Sequence, residues 1–247
     1  MAFESAAGRG AAPAPPESKR IIRTLTAPLE QRWLPVLARQ LPDWVTPDML
    51  TVSGVLTSIL IGALYGYSGK LPALLWVINA LLIVHWYADS LDGTLARVRH
   101  IERPRYGFFL DHAADAITTL CVCLGLGLSP LMDLRIAVGL VIVYYLMMIQ
   151  VLLRAYTLRE FKISYGRFGP TELRLILILA NIIVWTQLTW FTNARLTTVL
   201  KIPIHLMDVL AIAAGLAMLF TFIGTFTRTL RRLAVLEPPG RHHSDSA

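Results

Sequence analysis

The chain has 247 residues, of which 55% are hydrophobic and only 16% are charged. Such a composition is too apolar for an ordinary soluble domain and indicates a membrane protein. The formal net charge of +7 does not indicate a nucleic-acid-binding protein, because that class gathers its basic residues on a soluble face and does not need long apolar segments.

The N-terminal region divides into two parts. Residues 1–18 are rich in Ala, Gly and Pro and lack the apolar core of a signal peptide, so we expect a disordered cytoplasmic tail. In residues 19–45, apolar residues recur at helical spacing beside Lys and Arg, and Trp33 is placed as an interfacial anchor. This pattern predicts an amphipathic helix on the membrane surface, which Pro28 and Pro35 would break into pieces.

Six apolar stretches follow, and each reaches or approaches the roughly 20 residues that a helix needs to cross a bilayer. We expect transmembrane helices over residues 49–68, 72–97, 106–128, 135–157, 171–191 and 207–228. The predicted fold class is therefore an all-α integral membrane protein with six transmembrane helices preceded by an amphipathic interfacial helix. The six-helix domain would occupy residues 46–230, and residues 231–247 would form a second cytoplasmic tail.

Lys and Arg residues are distributed unevenly about these spans. Most lie on the side that carries both termini, whereas the opposite side has only Lys70, Arg135, Arg195 and Lys201. Because basic residues mark the cytoplasmic side of a multi-pass protein, we expect both termini to be cytoplasmic, in a bacterial inner membrane or an equivalent one. The basic excess then faces anionic lipid headgroups, so membrane lipids are expected partners and nucleic acid is not.

Four aspartates, which we call the aspartate quartet, lie within two neighbouring spans: Asp89, Asp92, Asp111 and Asp115. The first pair is near the end of the second span and the second pair near the start of the third, so an antiparallel hairpin would bring them to a similar depth. Spacings of three and four residues place each pair on one helix face. Four unpaired carboxylates would repel one another or take up protons, whereas hard cations bind oxygen ligands. The pattern therefore predicts a divalent-metal pocket at the cytoplasmic end.

Residues beside the quartet suit a phosphate-bearing ligand. Gly93 and Gly107 would let such a ligand approach the helix backbone, and Arg97 could meet a phosphate. A snorkelling anchor is the alternative role for Arg97.

These residues follow the signature D-x-x-D-G-x-x-A-R, a gap, then G-x-x-x-D-x-x-x-D, and the chain thereby resembles the CDP-alcohol phosphotransferases, integral membrane enzymes of phospholipid synthesis. All eight fixed positions are occupied, by Asp89, Asp92, Gly93, Ala96, Arg97, Gly107, Asp111 and Asp115. The segment from Thr46 to Thr51 is similar to the family's P-N-x-x-T motif, with Asp48 in place of the usual Asn. Arg103-Pro104-Arg105 replaces the Ser or Thr often found shortly before the glycine.

The resemblance implies a site with two divalent cations, Mg²⁺ or Mn²⁺, held by Asp89, Asp92, Asp111 and Asp115, with Asp115 also acting as the catalytic base. It places Gly93, Ala96, Arg97, Gly107, Asp48 and Thr51 around the cytidine and phosphates of the donor. The implied reaction moves a phosphatidyl or phospho-alcohol group from a CDP-linked donor, in the first instance CDP-diacylglycerol, to an alcohol acceptor and releases CMP. Family members form homodimers, which makes a homodimer an expected partner state.

Several alternatives stay open at this point. Arg154, Glu172 and Arg174 could line the acceptor side, although basic residues there also fit a role in setting topology. Leu110-Asp111-His112 resembles the branch of the family that joins a CDP-aminoalcohol to diacylglycerol. A cation- or proton-coupled transporter is the alternative from another class, but it would be expected to carry polar groups towards the opposite membrane face as well.

Overall fold

The computed structural model of the protein describes residues 26–158, 170–186, 198–199, 202–203 and 205–238. The helices in these ranges are α1 (Ala27–Gln40), α2 (Pro47–Tyr67), α3 (Leu74–Val98), α4 (Pro104–Gly127), α5 (Leu134–Leu158), α6 (Pro170–Thr186) and α7 (Leu206–Leu236), and a short antiparallel ladder joins β1 (Thr198–Val199) to β2 (Ile202–Pro203). Apart from that ladder, the regular structure of the described residues is α-helical, as predicted. The predicted tail at 1–18 and the end of the second tail, 239–247, lie outside the described residues.

Five of the described helices, α2, α3, α4, α5 and α7, are long and apolar enough to cross a membrane. Their surfaces expose large apolar side chains such as Leu56, Phe109 and Phe220, as expected for helices that lie against lipid. The protein is therefore a multi-pass integral membrane protein. The predicted span at 171–191 coincides with α6, of which the structure describes 17 residues. Because 187–191 lie outside the described part, the count of six spans stays a prediction.

Caps and the absence of helix breakers explain where the helices begin and end. Thr46 caps α2, since its Oγ1 accepts a hydrogen bond from the backbone N–H of Met49 at 3.2 Å, and Pro47 needs no backbone partner at the first helical position. α7 continues to Leu236, beyond the predicted end at 228, because residues 229–237 contain no Gly or Pro.

α1 is one continuous helix, so the predicted break at its prolines is wrong. Pro28 lies in the first turn, where a missing N–H leaves no hydrogen bond unmade. Pro35 lies inside the helix and removes one hydrogen bond. Leu34 and Ala38, on either side of it, are buried in a cluster with two leucines of α3, and this packing holds the helix through the proline. The interfacial position of α1 stays a prediction.

Arg99, which follows the last residue of α3, fastens the connection between α1 and α2. Its guanidinium donates hydrogen bonds to four carbonyl oxygens of that connection, those of Leu41 at 3.0 Å, Pro42 at 2.9 Å, Asp43 at 3.3 Å and Val45 at 2.5 Å. One side chain thereby satisfies most of the acceptors of a segment that has few backbone partners of its own. The end of α1 is consequently fixed to the end of α3.

α2 packs against both α3 and α4, the helices that carry the aspartate quartet. The predicted α3–α4 hairpin is therefore held together mainly through α2, because α3 and α4 make few direct contacts with each other. α2 approaches α4 closely because glycines meet there: a Cβ at Gly62 would overlap the carbonyl oxygen of Cys121, and a Cβ at Gly125 would overlap the backbone of Gly62. Small residues at a helix contact are what permits such approach inside a membrane.

Buried polar side chains tie α6 to this group. The side-chain amide of Asn181 donates to Tyr65 Oη of α2 at 2.9 Å and to Asn79 Oδ1 of α3 at 2.8 Å, and all three residues are buried. Buried polar groups of this kind hold helices together in lipid because no water competes for them.

α5 and α7 run side by side in the same direction. The backbone N–H of Asp133, just before α5, donates to Asp208 Oδ1 at 2.7 Å, and Thr225 Oγ1 donates to Gln150 Oε1 at 3.4 Å. In both contacts the partners are 75 residues apart, so the two helices keep one register along this length.

The glycine contact yields a prediction about stability. Gly62→Ala should destabilise the protein by about 1–3 kcal/mol, because the added methyl overlaps the α4 backbone and forces the helices apart. Gly66→Ala, in the same helix, places its methyl where no atom lies within 4 Å and should leave stability unchanged or raise it. Thermal unfolding of both variants in detergent, followed by tryptophan fluorescence, provides the measurement. Equal midpoints for the two variants would contradict the close α2–α4 contact.

Candidate active site

The aspartate quartet lies at one end of the bundle, where α3 ends and α4 begins, which we call the aspartate end. The carboxyl of Asp115 interacts electrostatically with the other three carboxyls and with the guanidinium of Arg174. One turn deeper, His85 Nε2 of α3 and Thr118 Oγ1 of α4 are 3.4 Å apart. The structure therefore brings together the four carboxylates that the sequence singled out.

Arg174 of α6 forms an ion pair with Asp89, with Nη2 2.7 Å from Oδ2. The side chains of Arg174 and Asp89 are 12% and 27% exposed, so the pair is partly shielded from solvent. The sequence placed Arg174 on the acceptor side, and the structure places it directly against the quartet. The positive charge of Arg174 offsets repulsion among the neighbouring carboxylates.

Asp92 is held by α2. Thr51 Oγ1 lies 2.7 Å from Asp92 Oδ2 and donates a hydrogen bond to it, while Thr51 itself is buried. The cap at Thr46 sets where α2 begins and so sets the depth at which Thr51 meets α3. Thr51, predicted beside the donor, therefore lies against a carboxylate of the quartet.

The remaining signature residues lie around the same end. Arg97 is exposed, and its Nη2 donates to Thr94 Oγ1 at 3.0 Å. A Cβ added to Gly93 would be 3.5 Å from Arg97 Nη1, and one added to Gly107 would have no atom within 4 Å. Ala96 is half-buried. Gly107 therefore leaves its side of the α4 backbone open to an approaching ligand.

Asp48 is engaged by residues that the sequence did not assign to the site. Arg103 Nη2 lies 2.5 and 2.6 Å from the two carboxylate oxygens of Asp48, and Tyr106 Oη donates to Oδ2 at 3.3 Å. The hydrogen bond with Asp48 raises the pKa of Arg103, so the guanidinium stays charged. The only sequence signal was that Arg103-Pro104-Arg105 departs from the family pattern.

The other two residues predicted on the acceptor side have different surroundings. Glu172 is buried, and its Oε1 accepts hydrogen bonds at 3.0 Å from both the backbone N–H and the hydroxyl of Thr26. Arg154 lies in α5, and its buried Nε has no hydrogen-bond partner among the described residues. Glu172 therefore joins the start of α6 to the start of α1.

A second carboxylate strengthens this attachment of α1. Glu30 Oε1 accepts hydrogen bonds from Thr171 Oγ1 of α6 at 2.6 Å and from Trp86 Nε1 of α3 at 3.3 Å. The sequence gave no sign of it, because the partners are 141 and 56 residues away from Glu30.

A cavity of about 510 Å³ lies between α1, α3 and α6 and was not predicted from the sequence. Most of its lining is apolar, and Arg174 also lines it. Leu29, Trp33, Leu34, Leu37, Leu82, Ile83, Trp86, Leu175 and Ile178 contribute the apolar wall. Because Arg174 also pairs with Asp89, the cavity adjoins the quartet.

The chemistry of the quartet fits a hard divalent cation. Its donors are carboxylate oxygens, the ligands that Mg²⁺ and Mn²⁺ prefer, and the side chains of Asp89 and Asp111 are 27% and 35% exposed, so a cation can reach them. Among the described residues, no three His, Cys, Asp or Glu side chains are grouped closely enough to hold one ion. Asp89 and Asp92 face Arg174 and Thr51 instead and would have to turn to share a ligand.

Comparison with known proteins gives a consistent result. The family model described as CDP-alcohol phosphatidyltransferase matches residues 44–223. Cholinephosphotransferase 1 from Danio rerio is 29% identical over 120 residues, which cover 44% of this chain and 31% of the relative. Cholinephosphotransferase 1 from Gallus gallus is 28% identical over 120 residues, covering 44% and 36%. The match thus spans about a third of the length of these curated relatives.

The contact between Thr51 and Asp92 can be tested by its effect on stability. Thr51→Val keeps the side-chain shape but removes the donor, so it should destabilise the protein by about 1–3 kcal/mol, since a partly buried carboxylate loses a hydrogen bond. Thr57→Val is the control, because Thr57 Oγ1 bonds only the Ser53 carbonyl of its own helix and should change stability by less than about 0.5 kcal/mol. Thermal unfolding in detergent measures both, and an unchanged midpoint for Thr51→Val would contradict the contact.

Proposed function

Since the chain belongs to the CDP-alcohol phosphatidyltransferase family, we propose that it transfers a phosphate-bearing group from a CDP-linked donor to an alcohol acceptor in phospholipid synthesis, with release of CMP. The observation that carries the proposal is the aspartate quartet gathered at one end of the bundle beside Arg174.

Asp89, Asp92, Asp111 and Asp115 would hold two divalent cations, Mg²⁺ or Mn²⁺. Cations bound there would neutralise the negative charge that develops on the oxygen leaving with CMP. Thr51 orients Asp92, and Arg174 orients Asp89 and limits repulsion among the carboxylates. These protein contacts hold the two carboxylates of α3 inside an apolar bundle.

Asp115 is proposed as the general base. Its carboxylate would accept the proton from the hydroxyl of the acceptor alcohol as that oxygen attacks phosphorus. Along α4, Asp115 lies about one turn further than Asp111 from the exposed start of the helix. Four residues lie nearer the exposed end of α3 and the exposed start of α4 and would surround the cytidine and phosphates of the donor: Gly93, Ala96, Arg97 and Gly107. Orientation of the two substrates there would supply much of the remaining rate enhancement.

The cavity between α1, α3 and α6 is proposed to hold hydrocarbon of the lipid substrate. Its apolar wall suits acyl chains. Arg174, which lines the cavity, also pairs with Asp89 of the quartet. Acyl chains in that cavity would place a polar headgroup next to the carboxylates.

The arrangement of the helices in the membrane is proposed from the sequence. We propose that α6 is the fifth of six spans, that α1 lies at the interface, and that the aspartate end is cytoplasmic. A homodimer is proposed from the family resemblance.

Two donor classes are compatible with this site. CDP-diacylglycerol with a polar alcohol is the first, and a CDP-aminoalcohol with diacylglycerol is the second. The second is supported by the name of the relatives, cholinephosphotransferase, together with Leu110-Asp111-His112. A cation- or proton-coupled transporter is not favoured by the family match.

The proposed reaction can be tested on purified protein in detergent or lipid vesicles. CMP should be released from one CDP-linked donor in a matrix of donors against alcohols, only when Mg²⁺ or Mn²⁺ is present. Asp115→Asn should lower the rate about 10²- to 10⁴-fold, the contribution typical of a general base, while donor binding persists. Asp43→Asn, in the exposed α1–α2 connection, should behave as wild type. Absence of CMP release with every donor would refute the proposal, and near-normal turnover by Asp115→Asn would remove its role as base.

Filling the cavity should affect the lipid substrate selectively. Ile178→Trp places an indole in the cavity and should raise the KM for the lipid substrate about fivefold or more, with a smaller change in kcat, because acyl chains lose space. Leu179→Trp is the matched control, since Leu179 is 58% exposed on the neighbouring position of α6. Steady-state kinetics with the lipid substrate varied supply the measurement. Equal KM values for both variants would exclude the cavity from lipid binding.

A further inference from the structure

A cluster of three residues lies at the exposed edge of the aspartate end, and we call it the rim cluster: Asp48, Arg103 and Tyr106. Arg103 Nη2 is within 2.6 Å of both oxygens of Asp48, and the guanidinium carbon lies 4.0 Å from the centroid of the Tyr106 ring. The cluster joins the first turn of α2 to the first turn of α4. A planar guanidinium paired with a carboxylate and stacked on an aromatic ring has a defined orientation.

The rim cluster lies next to the carboxylates. Asp48 and Thr51 are three residues apart in α2 and therefore share a helix face, and Thr51 contacts Asp92 at 2.7 Å. On the α4 side, the backbone N–H of Gly107 donates to the carbonyl of Arg103 at 2.7 Å. Because Asp48 lies about one helical turn before Thr51, its ion pair with Arg103 lies about one turn from Asp92, towards the start of α2.

The charges of the cluster decide what it can do. Both carboxylate oxygens of Asp48 contact Arg103. The negative charge of Asp48 would repel a pyrophosphate, whereas the positive charge of Arg103 would attract one. The pair is also weakly held, because the side chains of Arg103 and Asp48 are 53% and 37% exposed and exposed ion pairs are readily exchanged. Phosphate oxygens accept bidentate hydrogen bonds from arginine at least as well as a carboxylate does.

We propose that Arg103 is an exchangeable recognition residue for the diphosphate of the CDP-linked donor, and that Asp48 and Tyr106 hold it in position until the donor displaces the carboxylate. The inference rests on the proposed function and adds to it a residue outside the signature. Asp48 then acts on donor binding through Arg103, and it competes with the donor for the guanidinium.

Competition makes the two partners respond in opposite directions. Arg103→Gln should weaken binding of the diphosphate about tenfold, since a charge-assisted contact is lost. Asp48→Asn should strengthen it about threefold, because the competing anion is removed while the side-chain shape is kept. A cluster with a purely structural role predicts weaker binding in both variants.

The experiment uses CDP itself, which carries the diphosphate common to the candidate donors, titrated into the full-length protein in detergent with Mg²⁺ by calorimetry. Arg105→Gln is the matched control, because it removes one positive charge two residues from Arg103 and should change the affinity less than about twofold. Arg103→Lys keeps the positive charge but loses the planar guanidinium that can donate two parallel hydrogen bonds. Its affinity for CDP should lie between those of the wild type and Arg103→Gln. Thermal unfolding of each variant verifies that it is folded.

The outcomes separate this inference from the proposed function. Tighter binding by Asp48→Asn together with weaker binding by Arg103→Gln supports exchange. Weaker or unchanged binding by Asp48→Asn, or equal losses in Arg103→Gln and Arg105→Gln, overturns it while CMP release by the wild type leaves the proposed function intact. A wild-type protein that neither binds CDP nor releases CMP overturns both.

Discussion

Carboxylates inside membrane-spanning helices are the constraint on which the rest of this structure depends. An acidic side chain in such a helix is unfavourable unless it meets water, a cation or a hydrogen-bond donor. At the aspartate end, α6 supplies Arg174 to Asp89 and α2 supplies Thr51 to Asp92. The glycine contact between α2 and α4 lets the three helices assemble closely enough for these groups to share one region. The contacts that join α2 and α6 to the bundle therefore also position the carboxylates of the site.

Local patterns in the sequence were sufficient to predict the helices and the quartet. Apolar length predicted the described spans to within a few residues, apart from the extension of α7, and the spacing of Asp89, Asp92, Asp111 and Asp115 predicted that they would gather. Both features depend on residues that are close in sequence, for which helical periodicity is a direct guide. The roles of these residues stay predictions, because geometry alone does not test them.

Long-range contacts were the part that the sequence could not give. The partner of Asp89 is 85 residues away in α6, and the partner of Asp92 is 41 residues away in α2, so no local spacing indicates either pairing. The cavity has the same origin, since three helices from separate parts of the chain enclose it. The predicted break of α1 at its prolines was wrong for a related reason. Local propensity favours a break, but burial of Leu34 and Ala38 against α3 overrides it.

The attachment of α1 at both ends limits how the molecule can move. Thr26 and Glu30 bind α6 at one end, and Arg99 binds the segment that follows the other. Lifting α1 away from the bundle would require the hydrogen bonds at both of its ends to break. Exposed side chains that line the cavity, such as Trp33, change rotamer in picoseconds to nanoseconds. Undocking of a whole helix takes microseconds or longer. Access to the cavity past Trp33 would therefore depend on rotation of side chains and would not require α1 to leave the bundle.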